Sequence, residues 1–170
     1  GWKSLSLHSI SQTHIETWGD YGFKNAEEMG VSSVWTDISK ECPHTMNFLL
    51  NNFPSKDFGQ VRFELLEPDG VVDERQSRVP ALETIIIPLN NPVGSALIWD
   101  DGQEYVFSPG SVITLNTHYF HKLVNNSDED RYQLIINRRD STNEWKSLID
   151  TACNEQQVEG EYITHNIAVF

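Results

Sequence analysis

The chain has 170 residues, 38% of them hydrophobic and five of them tryptophan, which is typical of a packed globular protein and excludes a disordered one. Twelve basic and 25 acidic residues give a net charge of −13, which repels nucleic-acid phosphates and anionic lipid, so we expect neither nucleic acid nor a membrane as partner. With two isolated cysteines and no long apolar stretch at the N-terminus, we expect one soluble domain over residues 1–170, located in the cytoplasm.

The N-terminal third predicts one short strand over residues 2–8 and one amphipathic helix over 43–53. Pro43 suits the first turn of that helix, and Pro54 ends the run. Four apolar side chains repeat at the spacing of one helical face: Met46, Leu49, Leu50 and Phe53. We interpret these four as core residues.

Between residues 60 and 138 the pattern changes to short apolar strands separated by turn residues. The predicted strands are QVRFELLE (60–67), LETIIIPLN (82–90), SALIWD (95–100), QEYVFS (103–108), SVITLN (111–116), FHKLVN (120–125) and RYQLIIN (131–137). The turns between them contain PDG, NNP, DDG, PG and NSD. Strands at this spacing predict an antiparallel sandwich or barrel of the jelly-roll type.

A second helix is predicted over residues 142–153. Ser141 and Glu144 have the spacing of a capping box at its N-terminus. The apolar positions that follow lie on one helical face: Trp145, Leu148, Ile149 and Ala152. The predicted fold class is therefore mainly β, with a core over residues 60–138 and the helices 43–53 and 142–153 packed outside it.

The stretch HKLVNNSDEDR, residues 121–131, contains the most informative polar residues. A strand leads to His121, Asn125 closes a turn, and Arg131 opens the next strand ten positions after the histidine. Jelly-roll barrels hold metals where inward side chains of neighbouring strands converge, and two histidines with one carboxylate form the usual iron(II) oxygenase site. An inward arginine would bind a carboxylate through two parallel hydrogen bonds. We expect Arg131 to point into the barrel mouth near His121.

Each of these two residues also has a purely structural interpretation. His121 would then be a hydrogen-bonded barrel histidine without a metal. Arg131 would form an ion pair at the turn with one of three neighbouring carboxylates: Asp128, Glu129 or Asp130.

The segments CPHTMNFLL, VRFELLEPDGVV, IIIPLNNP and YVFSPGSVITLNTHYFHKLVNNSDEDRYQLIIN resemble the aspartyl/asparaginyl β-hydroxylase-like branch of the 2-oxoglutarate/iron(II) oxygenases, over residues 42–137. The resemblance implies a double-stranded β-helix, also called a cupin-like jelly roll. It implies iron(II) and 2-oxoglutarate as cofactors, and hydroxylation of an amino-acid, peptide or protein side chain. It also implies His121 as the distal iron ligand and Arg131 as the residue that holds the far carboxylate of 2-oxoglutarate.

The sequence departs from this family at the first metal motif. The family has a histidine shortly after its P-x-G-x-x turn, often followed two residues later by an acid, but PDGVVDERQS places Arg75 and Ser77 at these positions. An arginine cannot ligate a cation. Its charge about 4 Å from a divalent ion would cost on the order of 8 kcal/mol at an effective dielectric of 20.

Few other residues could replace the histidine that is missing from the metal site. A β-bulge could turn Asp73 or Glu74 inward, whereas His118 would need an irregular backbone to face the same side as His121. We expect Arg75 to take the place of the missing histidine and Ser77 to face the pocket. A carboxylate would neutralise Arg75, and the candidates are Glu64, Glu74 and Asp73.

Three functional hypotheses follow from this sequence. The first is an active 2-oxoglutarate-dependent hydroxylase. The second is a pseudoenzyme that has lost the iron site but binds a small carboxylate ligand or a peptide at Arg131, where Arg75 as a second inward arginine would help to hold a dianion. The third is an interaction domain whose pocket is filled by ion pairs.

Overall fold

The computed structural model describes residues 1–9, 34–75, 84–115, 120–138 and 142–158. Within these ranges the chain is mainly β. Its strands and α-helices are β1 (Trp2–Ser9), β2 (Val34–Trp35), α1 (Pro43–Asn52), β3 (Phe58–Leu66), β4 (Gly70–Arg75), β5 (Thr84–Pro88), β6 (Ser95–Trp99), β7 (Glu104–Tyr105), β8 (Ile113–Leu115), β9 (His121–Asn125), β10 (Arg131–Arg138) and α2 (Asn143–Val158). Short 3-10 helices span Asp37–Glu41 and Ser55–Asp57.

The strands form two antiparallel sheets that pack face to face. The larger sheet has the order β2-β1-β3-β10-β5-β8, and the smaller one has the order β4-β9-β6-β7. The predicted mainly-β jelly roll is therefore confirmed. Two predicted strands are shorter than expected, since QEYVFS and SVITLN contribute only Glu104–Tyr105 and Ile113–Leu115. The strand β4 was not predicted, because four of its six residues are polar or glycine and no apolar alternation marks it.

Side chains alternate between the two faces of the larger sheet and build one core on each face. The outer core lies between this sheet and the helices: Leu7, Leu49, Phe53, Phe58, Val61, Ile85, Ile87, Leu134, Ile136 and Trp145. The inner core fills the space between the two sheets: Leu66, Val72, Ile86, Leu97, Phe107, Ile113, Leu123 and Ile135. The barrel interior is therefore the space that contains the inner core.

Both predicted helices form, with differences at their ends and faces. In α1, Leu49 and Phe53 are core residues as predicted, but Leu50 is 50% exposed, so its assignment to the core is wrong. In α2, the backbone N–H of Trp145 donates to Thr142 Oγ1 at 3.3 Å, and the Thr142 hydroxyl donates to the buried Asp57 carboxylate. Thr142 therefore caps the N-terminus of α2, and its hydrogen bond to Asp57 fixes where the helix begins. The predicted cap Ser141 lies outside the described residues.

No helix in the described part of the chain is both long and apolar enough to cross a membrane.

Three turns gather at one end of the barrel, and we call this the closed end: residues 67–69, 89–94 and 126–130. The fully buried Asn125 ties this end together. Its amide nitrogen donates to the carbonyls of Leu66 (2.9 Å), Glu67 (3.2 Å) and Glu129 (2.8 Å). Its oxygen accepts from the hydroxyls of Ser95 and Ser127. One side chain thereby joins β3, β6 and β9 and both adjoining turns.

We predict that Asn125→Asp destabilises the protein by at least about 2 kcal/mol, because a carboxylate lacks both N–H hydrogens that the three carbonyls share, and each buried group left unsatisfied costs roughly 1–3 kcal/mol. The free energy of unfolding in urea measures this effect. The matched control is Asn126→Asp at the exposed neighbouring position, which should change stability by less than about 0.5 kcal/mol. Equal losses in both variants would contradict the role given to Asn125.

His8 is buried among aromatic rings and makes stability depend on pH. Its ring lies edge-on to Trp35, with centroids 4.7 Å apart, and its Nδ1 is 3.0 Å from the Gly59 carbonyl. Burial lowers the pKa of His8 below its ordinary value of 6.5, and the Gly59 carbonyl opposes that shift. The folded state therefore holds the neutral ring, while the unfolded state takes up a proton below pH 6.5.

We predict that stability falls as the pH drops below about 6.5, with a contribution from His8 of at most about 1.4 kcal/mol per pH unit. In His8→Gln the contribution of His8 to the slope of unfolding free energy against pH should disappear, however much the substitution changes stability at neutral pH. Urea unfolding at pH 7.5 and 5.0 measures the slope, and His44→Gln at an exposed position is the control. The same pH slope in the wild type and His8→Gln would refute the assignment.

Candidate functional site

The barrel interior extends from the closed end to an opposite end that we call the open end. In the smaller sheet, Asn125 pairs with Gly70 at the closed end, and His121 pairs with Arg75 and Trp99 at the open end. In the larger sheet, Arg131 pairs with Leu66 at the closed end, and Asn137 pairs with Gln60 and Thr84 at the other end of the same strands. Polar groups therefore lie at both ends, with the inner apolar core between them.

Arg131 points into the barrel, as predicted, but it lies at the closed end and not at the mouth. It is 1% exposed and pairs with Leu66, whose carbonyl accepts from Asn125. His121 is four residues from Asn125 along β9, which is about 13 Å at roughly 3.3 Å per residue. Arg131 and His121 therefore do not lie next to each other as predicted. They lie at opposite ends of the barrel interior.

Neutral side chains surround the Arg131 guanidinium. Its Nε donates to Asn91 Oδ1 at 3.1 Å, its Nη1 donates to Gln133 Oε1 at 2.6 Å, and its central carbon lies 4.9 Å from the centroid of the Phe107 ring. The third nitrogen, Nη2, is buried and has no hydrogen-bond partner among the described residues. The alternative of an ion pair with the turn carboxylates does not hold, because the side chain is directed inward to Asn91 and Gln133.

Burial lowers the pKa of Arg131 to about 10, while the charge of Glu64 acts in the opposite direction. The guanidinium therefore keeps its proton at neutral pH and brings a full positive charge into the barrel. Such a charge is costly to bury without an anionic partner.

A hydrogen-bonded chain leads from Arg131 along the inner face of the larger sheet. Gln133 Nε2 donates to Glu64 Oε2 at 2.7 Å, and Arg62 binds the other oxygen of Glu64 through Nε and Nη2, each at 2.7 Å. Arg62 Nη1 also donates to Gln60 Oε1 at 2.9 Å and to Asn137 Oδ1. Among the described side chains, this chain thus contains the ion pair Arg62–Glu64 and the further cation Arg131, with Gln133 between them.

The open end contains His121 and the strand position opposite it. The Trp99 ring meets the His121 ring edge-on, with centroids 5.9 Å apart. Arg75 is the residue opposite His121 in the β4–β9 pairing, and the register shifts between Val72 and Arg75. Regular pairing from Val72 and Leu123 would put Glu74 opposite His121, so an extra residue in β4 advances the arginine into that place. The bulge considered as a way to place a carboxylate opposite His121 therefore places Arg75 at that strand position.

Several predicted site features lie outside the described residues. Ser77 and His118 are among them, and so are the side chains of Glu74 and Arg75, so the neutralisation of Arg75 by a carboxylate stays a prediction. Among the residues and side chains that are described, no three histidine, cysteine, aspartate or glutamate side chains are grouped so that they could hold a metal ion. Asp73 is exposed.

Sequence reasoning missed three residues that surround Arg131: Asn91, Phe107 and Gln133. Period-two alternation in RYQLIIN places Gln133 on the same face as Arg131, and this signal was available in the sequence. No comparable signal marks Asn91 or Phe107, since they come from the loop after β5 and from the segment after β7.

The sequence matches the model of one protein family, described as aspartyl/asparaginyl beta-hydroxylase, over residues 2–140. No curated protein matches the sequence significantly.

Among the solved structures that match part of the chain are cupin proteins and a polyketide cyclase. A cupin domain from Bordetella pertussis Tohama I is 17% identical, with a TM-score of 0.40, over 46% of this chain and 79% of that one. A cupin 2 conserved barrel domain protein from Salinispora arenicola CNS-205 is 18% identical, with a TM-score of 0.38, over 56% and 71%. The polyketide cyclase RemF from Streptomyces resistomycificus is 17% identical, with a TM-score of 0.40, over 47% of this chain and only 54% of the cyclase.

Proposed function

Because this chain belongs to the aspartyl/asparaginyl beta-hydroxylase family, we propose that it binds 2-oxoglutarate or a related small dicarboxylate, with one carboxylate held by Arg131. One observation carries the proposal: Arg131 Nη2 is buried, charged and without a partner among the described residues. A carboxylate that accepts from this nitrogen would supply both the missing hydrogen bond and the missing negative charge.

The surroundings of Arg131 fit such a ligand. Asn91 and Gln133 hold the guanidinium through Nε and Nη1, and Phe107 lies over it, so the plane and direction of the group are set before a ligand arrives. A preorganised donor loses little conformational entropy on binding, which favours affinity. The inner apolar core between Arg131 and the open end would contact the carbon chain of the ligand.

The residues at the family's iron positions do not fit iron(II). A metal at His121 needs further neutral or anionic ligands, and the strand position opposite His121 holds Arg75. A guanidinium stays protonated and cannot donate an electron pair to a cation. We therefore propose a ligand-binding pseudoenzyme, in which the dicarboxylate, an amino acid or a peptide is bound without iron-dependent oxidation.

The second candidate is an active hydroxylase that uses iron(II) and 2-oxoglutarate and acts on an amino-acid, peptide or protein side chain. Family membership favours it. It requires ligands other than those at positions 75 and 77, and His121 would be one member of that set. Metal affinity therefore separates the two candidates.

For the binding proposal we predict that Arg131→Met weakens 2-oxoglutarate binding at least about tenfold, since hydrogen bonds to charged groups contribute roughly 1.5–3 kcal/mol. Calorimetric titration measures the affinity. The matched control is Arg138→Met, which also removes a buried arginine, but one that lies over Trp145 in the outer core. Unchanged affinity in Arg131→Met, or an equal loss in both variants, would contradict the proposed site.

For the metal site we predict weak or absent binding of iron(II) and manganese(II) by the wild type. The double variant Arg75→His, Ser77→Asp should bind far more tightly, because it removes a repelling charge and adds two ligands next to His121. Anaerobic titration compares the two proteins. Micromolar binding by the wild type that is lost in His121→Ala would support the active hydroxylase instead.

A further inference from the structure

We propose that Gln133 acts as a neutral spacer, which keeps the Glu64 carboxylate away from Arg131 and so reserves the arginine for a carboxylate ligand. This inference rests on the proposed function, since it concerns the same arginine, and it adds a residue that determines what the site accepts. Gln133 would be a positioning residue that acts on the ligand through Arg131.

The orientation of Gln133 follows from its two partners. Its Nε2 donates to Glu64 Oε2 at 2.7 Å, and a carboxylate can only accept, so the amide nitrogen must face Glu64. The amide oxygen must then face the opposite way, where it accepts from Arg131 Nη1 at 2.6 Å. The buried amide is therefore held in one orientation by an anion on one side and a cation on the other.

Strand pairing explains why Gln133 lies between these charges. It is directly opposite Glu64 in the β3–β10 pairing, and it lies two residues from Arg131 on the same face of β10. Any side chain of this length at position 133 would reach both groups. A glutamate there would contact Arg131 directly and neutralise it.

The charges of the inner face are otherwise balanced. Arg62 binds Glu64 through two nitrogens at 2.7 Å, so the charge of Glu64 is already compensated. Within the described part of the chain, the hydrogen-bond partners of Arg131 are the neutral Asn91 and Gln133, and the ring of Phe107 lies over it. Among the described residues, Arg131 thus has one nitrogen without a partner and no carboxylate in direct contact, which matches one carboxylate group of a ligand.

The test compares the wild type with Gln133→Glu, a change of nearly equal size. Among the described residues, the charged groups near position 133 are Arg131 on the same strand and Glu64 and Arg62 on β3, while Pro88, its neighbour on β5, is uncharged. When ionised, the introduced carboxyl group would occupy Arg131 and exclude the ligand. When protonated beside Glu64, the same group would resemble the native amide and permit binding.

We therefore expect the variant to bind 2-oxoglutarate at least about tenfold more weakly than the wild type at pH 8, and to recover affinity as the pH is lowered towards 5. The wild type should show no such recovery. Equal affinity of both proteins across this pH range would overturn the inference. So would a loss of binding in the variant that does not depend on pH.

A second variant, Glu64→Gln, covers the case in which Gln133→Glu does not fold. It removes the negative charge behind the spacer, but its amide oxygen can still accept from Gln133 Nε2, so the orientation of Gln133 is kept. Arg131 should then bind 2-oxoglutarate as tightly as before or more tightly. If the hydrogen bonds from Arg131 through Gln133 to Glu64 had only a structural role, Glu64→Gln would weaken binding. That result would overturn the inference. If the wild type itself binds no 2-oxoglutarate, the proposed function fails, and this outcome is seen before any variant is made.

Discussion

The structure depends on one buried carboxamide at the closed end of the barrel. Asn125 is 0% exposed, and it donates to carbonyls of β3 and of two turns while it accepts from Ser95 of the neighbouring strand. Because Leu66, one of its acceptors, pairs with Arg131, the same side chain sets the depth at which the arginine enters the interior. The closed end, where strands of both sheets meet and Arg131 enters the interior, is therefore held together by the hydrogen bonds of one side chain.

The two faces of the larger sheet carry different kinds of side chain. Its outer face carries apolar side chains against the helices, and burial of this kind supplies most of the favourable free energy of folding. Its inner face carries Arg62, Glu64, Arg131 and Gln133, and buried ion pairs of this type contribute little net stability because desolvation offsets the attraction. These polar side chains of the inner face therefore add little to stability, which agrees with the ligand-binding role that we propose for Arg131.

Family membership and residue chemistry give different information about this protein. The match over residues 2–140 identifies the family, and the buried arginine of β10 is consistent with an anion site. The pairing of Arg75 with His121 is the basis of our proposal that the chain does not bind iron(II) in the way the family resemblance implies. Fold and function are separable in this way because the barrel is stabilised by its two cores, while the chemistry depends on a few side chains at its ends.

The sequence by itself determined eight of the ten described strands, the jelly roll and the inward direction of Arg131, because these follow from local periodicity and turn residues. The departure at Arg75 was visible once the sequence was compared with the family that it resembles. Only the tertiary structure decided that Arg75 and not Glu74 lies opposite His121, that Thr142 caps α2, and that Asn91, Phe107 and Gln133 surround Arg131. These features arise from contacts between segments far apart in the chain, such as β4 with β9. The bulge and register of β4 depend on its partner strand β9, and the cap of α2 depends on the hydrogen bond to Asp57. A local sequence pattern contains no information about such a distant partner.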